Sequence, residues 1–386
     1  MHDNLSLPRN ARIDCLRGVA IACVLVLHFT LAFGLVNSPL GDLLGAAAVK
    51  AIALNGNYGV TIFFVISGYL ITSGILQRWG SLAQVDVRHF YLLRAARILP
   101  ALLLALAIIV VLGIFDVPYF SNGDARPPLP ASYFGIAIVS ILTLWHNLLM
   151  QSAGYFNYCL NVYWSLSVEE MFYLCLPLLC LLLRRSWLIA GVCLGAVVLG
   201  PLYRGAHADN ELYCMYGYFA CFDAIAIGCL TALLAPRLAL RPPVRRILRG
   251  ACGIALPLIY LRGIAGHEMF GFTAIALAAA GIVLGAHGER RPGWTTGRLA
   301  APLRWAGRHS YELYLFHVIV LAAMRNLVTK AELAYGLRLP WLALFLAVSA
   351  LVAMLVSRHV SEPANLALRA WHRCRTGTVP ALSSGG

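Results

Sequence analysis

Lysine is nearly absent from this 386-residue chain: of 30 basic residues only Lys50 and Lys330 are lysines, and Asp and Glu together number 16. Charged residues make up 12% of the chain. So thin a supply of charge excludes a soluble globular domain. A CxxC pair is also missing among the 11 cysteines, and their odd number argues against a disulfide framework. Most of them, such as Cys23, Cys175 and Cys193, lie in apolar runs, which predicts small buried hydrophobes; no metal site is expected. The first apolar run lacks a small-residue cleavage site and is long enough to span, so it is expected to stay as a signal anchor.

What the chain has in abundance is apolar sequence, 60% by residue with a mean hydropathy of +0.77. That composition describes an all-α polytopic membrane protein. The net charge of +14 invites a nucleic-acid reading. The arginines, however, cluster between apolar segments, which is the positive-inside pattern, so no nucleic-acid partner is expected.

The segment Ile13–Phe29 holds three ionisable interruptions, Asp14, Arg17 and His28. On a helix the eleven steps from Arg17 to His28 leave only about 20° of rotation, with the two residues roughly 16 Å apart along the axis. Asp14 falls within about 40° of the same face and is placed to pair with Arg17. A helix entering the bilayer near Arg17 carries His28 about halfway through a hydrocarbon core roughly 30 Å thick. Ionisable groups at such depth mark function by default. The plainer alternatives are a snorkelling topology charge and a histidine bonded to a carbonyl.

Further along, Phe63 to Tyr69 reads Phe-Phe-Val-Ile-Ser-Gly-Tyr, where Ser67 and Gly68 suit close helix packing. Arg94 and Arg97 share a helix face and suit bidentate contact with phosphates. Ser132–Met150 is expected to be re-entrant or tilted rather than crossing, because three crossings cannot join two basic loops on one side. In Trp164-Ser-Leu-Ser-Val-Glu-Glu170, Ser167 and Glu170 fit a capping box, which leaves Glu169, expected near the outer face, for acid or base work. Ser310, Tyr314 and His317 share one face of a late helix. About ten crossings result, with both termini cytoplasmic. Residues 1–360 form the membrane domain, and 361–386 a short cytoplasmic tail expected to be disordered at its end.

These segments together resemble the membrane acyltransferase-3 family. The match rests on Asp14-Cys-Leu-Arg-Gly18 with its spaced His28, the block ending at Tyr69, Arg94-x-x-Arg97, Trp164-Ser-Leu-Ser-Val-Glu169 and Tyr314-Leu-Phe-His317. Cys15 stands where the family often has glycine. The resemblance implies a bacterial inner-membrane, multi-pass O-acyltransferase moving an acyl group, usually acetyl, from cytoplasmic acetyl-CoA or another acyl-CoA to a glycan or lipid-linked sugar. It implies a catalytic role for His28 and donor or structural roles for Arg17, Arg94 and Arg97. Some members carry a fused SGNH-type domain, which is not expected in this sequence.

Chemically, Arg17, Arg94 and Arg97 would hold the phosphates of the donor, and His28 would meet its thioester as general base or as an acyl-accepting nucleophile. Glu169 would handle protons or bind the acceptor. Asp14, Ser67, Tyr69, Trp164, Tyr314 and His317 are expected to support the site. Besides the acceptor, membrane lipid is the expected partner. The rival function is a transporter or flippase of a lipid-linked glycan, in which the same residues relay protons.

Overall fold

A chain this apolar must satisfy its backbone internally, and helices do that segment by segment. The computed structural model describes residues 10–123, 129–130, 132–238, 240–288 and 293–376; among them no strand occurs. Helix α1 (Ala11–Phe33) starts where the Asn10 side chain accepts the Arg12 N–H and stops at Gly34, whose φ of 74° is left-handed. Short helices α2 (Pro39–Leu44) and α3 (Ala46–Leu54) lead to α4 (Tyr58–Trp79). Then comes α5 (Val87–Ile114), capped by Asp86 and containing Pro100.

Next the chain breaks where the sequence analysis expects irregularity. Helix α6 (Ser132–Leu142) has only 11 residues, Leu144 takes a φ of 68°, and α7 (His146–Ala153) sets off anew. After it run α8 (Trp164–Leu183), α9 (Ser186–Ala206), α10 (Glu211–Tyr216), α11 (Tyr218–Leu238), α12 (Pro242–Arg262) and α13 (Glu268–Ala286). The last stretch holds α14 (Ala301–Arg308), α15 (Ser310–Leu327), α16 (Arg338–Val356) and α17 (Glu362–Thr376).

Among the described residues eight segments are long and apolar enough to cross a membrane: α1, α3–α4, α5, α8 with the turn before it, α9, α10–α11, α13 and α16–α17. The expectation of ten included α12 and α15. Both are long enough, at 21 and 18 residues. Arg245, Arg246, Arg249 and Arg262 keep the first out of the apolar set, and the second, with Glu312, His317, Arg325 and Asn326, falls short in mean hydropathy. At the C-terminal end the helix passes through a π turn at Ser357–Ser361 into α17, which packs on α5, so the tail is helical to Thr376. The disorder expected beyond it lies outside the described residues.

Backbone proximity is set by glycine. A Cβ on Gly68 would stand 2.0 Å from the Ile225 carbonyl oxygen, and one on Gly228 2.1 Å from that of Val65, so α4 and α11 cross in direct contact. Gly18 and Gly307 do the same for α1 and α14, against Leu303 and Asp14. A wholly buried Arg204 ties α9, α11 and α13 together. It donates to Asp223 Oδ2 (2.8 Å), Thr273 Oγ1 (2.6 Å), the Met269 carbonyl (3.1 Å) and the Ala220 carbonyl. Of the three cysteines named above, Cys193 is buried and Cys23 half-buried, whereas Cys175 is exposed on the outside of α8 and departs from the expectation.

Candidate functional site

His28 and His317 meet inside the bundle although 289 positions separate them in the chain. Helix α1 brings the first and α15 the second, and their rings stand edge to face with centroids 4.8 Å apart. His28 Nδ1 lies 2.9 Å from the Val24 carbonyl, and His317 Nδ1 lies 2.8 Å from that of Tyr314 and 3.1 Å from that of Leu313. A carbonyl only accepts, so each neutral ring carries its proton on Nδ1 and keeps Nε2 as the basic nitrogen. His317 is wholly buried and its Nε2 has no hydrogen-bond partner among the described residues; His28 is half-buried.

One turn before His317, Tyr314 is bonded to Ser165 Oγ (2.7 Å) and donates to the Val162 carbonyl (2.8 Å). At the start of α15, Ser310 Oγ accepts from Arg17 Nη2 at 2.7 Å. The face Ser310, Tyr314, His317 therefore runs along α1 from Arg17 to His28. Arg17 also lies within electrostatic reach of Arg97, Asp14, Glu169 and Tyr173. Neither Arg17 nor Arg97 has a carboxylate at ion-pair distance among the described residues.

Glu169 takes a different place from the one expected. Its carboxylate accepts from Tyr173 (2.6 Å) and from Ser67, whose hydroxyl also touches that of Tyr173. Its neighbour Glu170 is paired with Arg94 at 2.6 Å, two turns into α5, and the Arg94 guanidinium stacks 3.5 Å from the Tyr173 ring. Glu169 thus belongs to the arginine-bearing end of the bundle and not to the opposite face. The reason is the broken α6–α7 element. It lets α8 begin inside the protein, at a wholly buried Tyr163, instead of at a surface.

The capping box does not form. Helix α8 starts at Trp164 without a side-chain cap, Ser167 Oγ accepts from the His146 backbone (3.3 Å), and Glu170 is spent on Arg94. Asp14 does not pair with Arg17 either; its carboxylate is 3.8 Å from Arg308 Nε. Ser67 is a polar partner of Glu169, whereas packing fell to Gly68. Tyr69 donates or accepts at His287 Nδ1 (2.8 Å), just past α13, and Arg245 donates to the His287 carbonyl (2.8 Å). Burial, reinforced by Arg245, holds the His287 imidazole below its ordinary pKa. Trp164 packs tilted against Tyr216, with ring centroids 4.4 Å apart, and edge to face on Phe64.

Tyr173 escaped the sequence reading. The signal was available, since it stands one turn after Glu169 on the same face. A cavity of about 260 Å³ between α5, α6 and α8 is lined by Arg94, Glu170 and Tyr173 together with apolar residues such as Leu99, Leu142 and Leu174. His28 lines neither this cavity nor the small one beside Trp164.

Comparison with known proteins places this geometry in context. An acyltransferase-domain family model, that of the acyltransferase-3 group, matches residues 10–358. Over 329 residues the chain is 26% identical to peptidoglycan O-acetyltransferase OatA of Listeria monocytogenes, covering 80% of this chain and 49% of that protein. It is 25% identical over 308 residues to O-acetyltransferase OatA of Staphylococcus aureus, covering 72% and 48%. With the YrhL protein of Bacillus subtilis it shares 30% identity over 301 residues, 69% of this chain and 45% of the other. The chain spans about half the length of these curated relatives. No solved structure matches.

Proposed function

The chain belongs to the acyltransferase-3 family, and from that premise we propose that it carries an acetyl group from cytoplasmic acetyl-CoA to a hydroxyl of an envelope glycan across the bacterial inner membrane. The observation that carries this reading is Arg17, which has no ion pair among the described residues and donates to the neutral Ser310 Oγ, on the helix that also carries His28. A guanidinium with no ion-pair partner suits an anion, and the donor's phosphates supply one. His28 stands on the same face as Arg17, roughly 16 Å further along α1. The donor's long arm suits that separation. In this reading the arginine-bearing end faces the cytoplasm with both termini, and α12 and α15 cross as the ninth and tenth spans.

The chemistry balances around one nitrogen. His28 Nε2 takes the proton of the acceptor hydroxyl as its oxygen attacks the thioester carbonyl. The C–S bond then breaks, and the coenzyme A sulfur leaves with the proton that His28 returns. Ester and free thiol result, with the imidazole neutral again. Nδ1, tied to the Val24 carbonyl, keeps the ring in the tautomer this requires. Glu169, Ser67 and Tyr173 form a proton-holding cluster beside the phosphate site.

The test replaces His28 with alanine and follows acyl groups on extracted envelope glycans by mass spectrometry. A transferase leaves the glycan at normal amount with acylation reduced by about 10² to 10⁴-fold, the usual worth of general-base action. A flippase instead leaves the glycan itself missing from the outer side. That outcome would end the transferase reading.

A further inference from the structure

Arg325 differs from Arg204 and Arg338, two arginines held in hydrogen bonds at the end of the bundle away from Arg17. Arg204 spends its donors on Asp223, Thr273 and two carbonyls, and Arg338 donates to the carbonyls of Gly34 and Asn37. Arg325 has neither a hydrogen bond nor an ion pair among the described residues, and its Nε is buried without an acceptor. Its guanidinium contacts are ring faces: Tyr119 at 3.9 Å and Tyr158 at 4.8 Å from the centroids. Those two rings also meet each other edge to face at 5.8 Å.

Ring contacts of this kind hold a guanidinium without using its N–H donors. An unsatisfied buried donor of this kind is costly unless something completes it. The surrounding chain is built to keep the arrangement. Tyr119 adopts a φ of 70°, a strained region for a bulky residue, and Asn326 donates to the Pro118 carbonyl (3.0 Å), clamping this loop to the end of α15. Arg325 follows His317 by eight residues, so it lies about 12 Å beyond the histidine pair along the same helix, rotated by roughly 80°. Seen from His28 it stands on the opposite side from Arg17.

We infer that Arg325, framed by Tyr119 and Tyr158, is the acceptor-recognition site and that it selects a glycan bearing an anionic group, a carboxylate or a phosphate, near the hydroxyl to be acylated. This rests on the transferase reading and adds the class of acceptor to it. The planar fork pairs the anion bidentately while Tyr119 and Tyr158 hold the guanidinium in place. Arg325 binds and takes no part in bond making.

The experiment uses a strain lacking the chain's own gene and supplied with the full-length wild type, Arg325→Gln, Arg325→Lys or His28→Ala. Extracted envelope glycans are split by anion exchange into acidic and neutral pools, and ester-linked acyl groups in each are counted by mass spectrometry. Charge on the acidic pool is assigned to carboxylate or phosphate by carboxyl reduction and phosphatase treatment. The wild type is expected to place its acyl groups in the acidic pool. Arg325→Gln should lose about 10- to 100-fold of that signal, the range of one charged hydrogen-bonded contact, at unchanged melting temperature. Arg325→Lys, which keeps the charge without the fork, should recover part of it. Acyl groups in the neutral pool, or Arg325→Gln at the wild-type level, overturn the inference. So does equal loss in both Arg325 variants accompanied by a lowered melting temperature, which assigns the residue to the fold. Full acylation in the His28→Ala strain overturns the transferase reading instead.

Discussion

The rings of His28 and His317 lie edge to face at 4.8 Å, and each donates its Nδ1 proton to a carbonyl of the turn behind it. Two basic Nε2 atoms are therefore presented by one contact, the one half-buried and the other wholly buried without a partner. Replacing His317 with phenylalanine keeps a ring in the contact and removes the unsatisfied nitrogen. Stability should hold or rise, since exchanging an unpaired buried polar atom for an apolar one removes its desolvation cost. Transfer should fall by roughly tenfold if His317 shares the proton taken by His28. Melting temperature and turnover measured on one preparation decide this, and unchanged turnover would leave His317 a packing residue.

Arginines of the same motif should divide sharply. Arg94 is held by Glu170 and by the Tyr173 ring, so Arg94→Gln strands a partly buried carboxylate and should lower the melting temperature. Arg97 has no such partner among the described residues. Arg97→Gln should fold normally and weaken coenzyme A binding by about tenfold, the worth of a charge-assisted contact. Calorimetric titration with coenzyme A in detergent reads the difference. Equal affinity for wild type and Arg97→Gln would remove the phosphate site.

Glu169 should act together with Tyr173. Removing the carboxylate by Glu169→Gln or the hydroxyl by Tyr173→Phe breaks the same 2.6 Å bond. Acyl transfer by the double variant should then fall no further than by the worse single one, a coupling of the order of 1 kcal/mol in a double-mutant cycle. Additive losses would mean that the two residues serve different steps.

Acid should weaken the contact between α4 and the end of α13. The His287 pKa is lowered in the folded chain, so the unfolded chain binds the proton more readily. The stability this histidine contributes is fully present above its ordinary value near 6.5 and is lost as the pH falls below that value toward the folded one. Melting temperature should drop between about pH 7 and pH 5, and the drop should shrink in His287→Gln. A pH profile identical in the variant would assign the acid sensitivity elsewhere.

Legibility in the sequence followed the range of the interactions. The alignment of Arg17 with His28, and of Ser310, Tyr314 and His317, is a property of one helix each, and periodicity gives it. The break between α6 and α7 was also readable, from charge alternation across the apolar segments. Pairing was not. Asp14 and Arg17 are ideally spaced on α1, yet Asp14 reaches Arg308 and Arg17 reaches Ser310, because Gly307 and Gly18 bring α14 against the start of α1. Ser167 and Glu170 have the spacing of a cap, but α8 begins earlier and Arg94 claims the glutamate.

What the amino-acid order determined alone is therefore the apolar helical character of the chain and the face on which each ionisable side chain stands, since both follow from the local 3.6-residue turn and from hydropathy. Only the tertiary structure decided who meets whom across helices. His28 with His317, Glu169 with Ser67 and Tyr173, and Arg325 with Tyr119 and Tyr158 all depend on helix crossings, and those are fixed by where a missing Cβ lets two backbones touch.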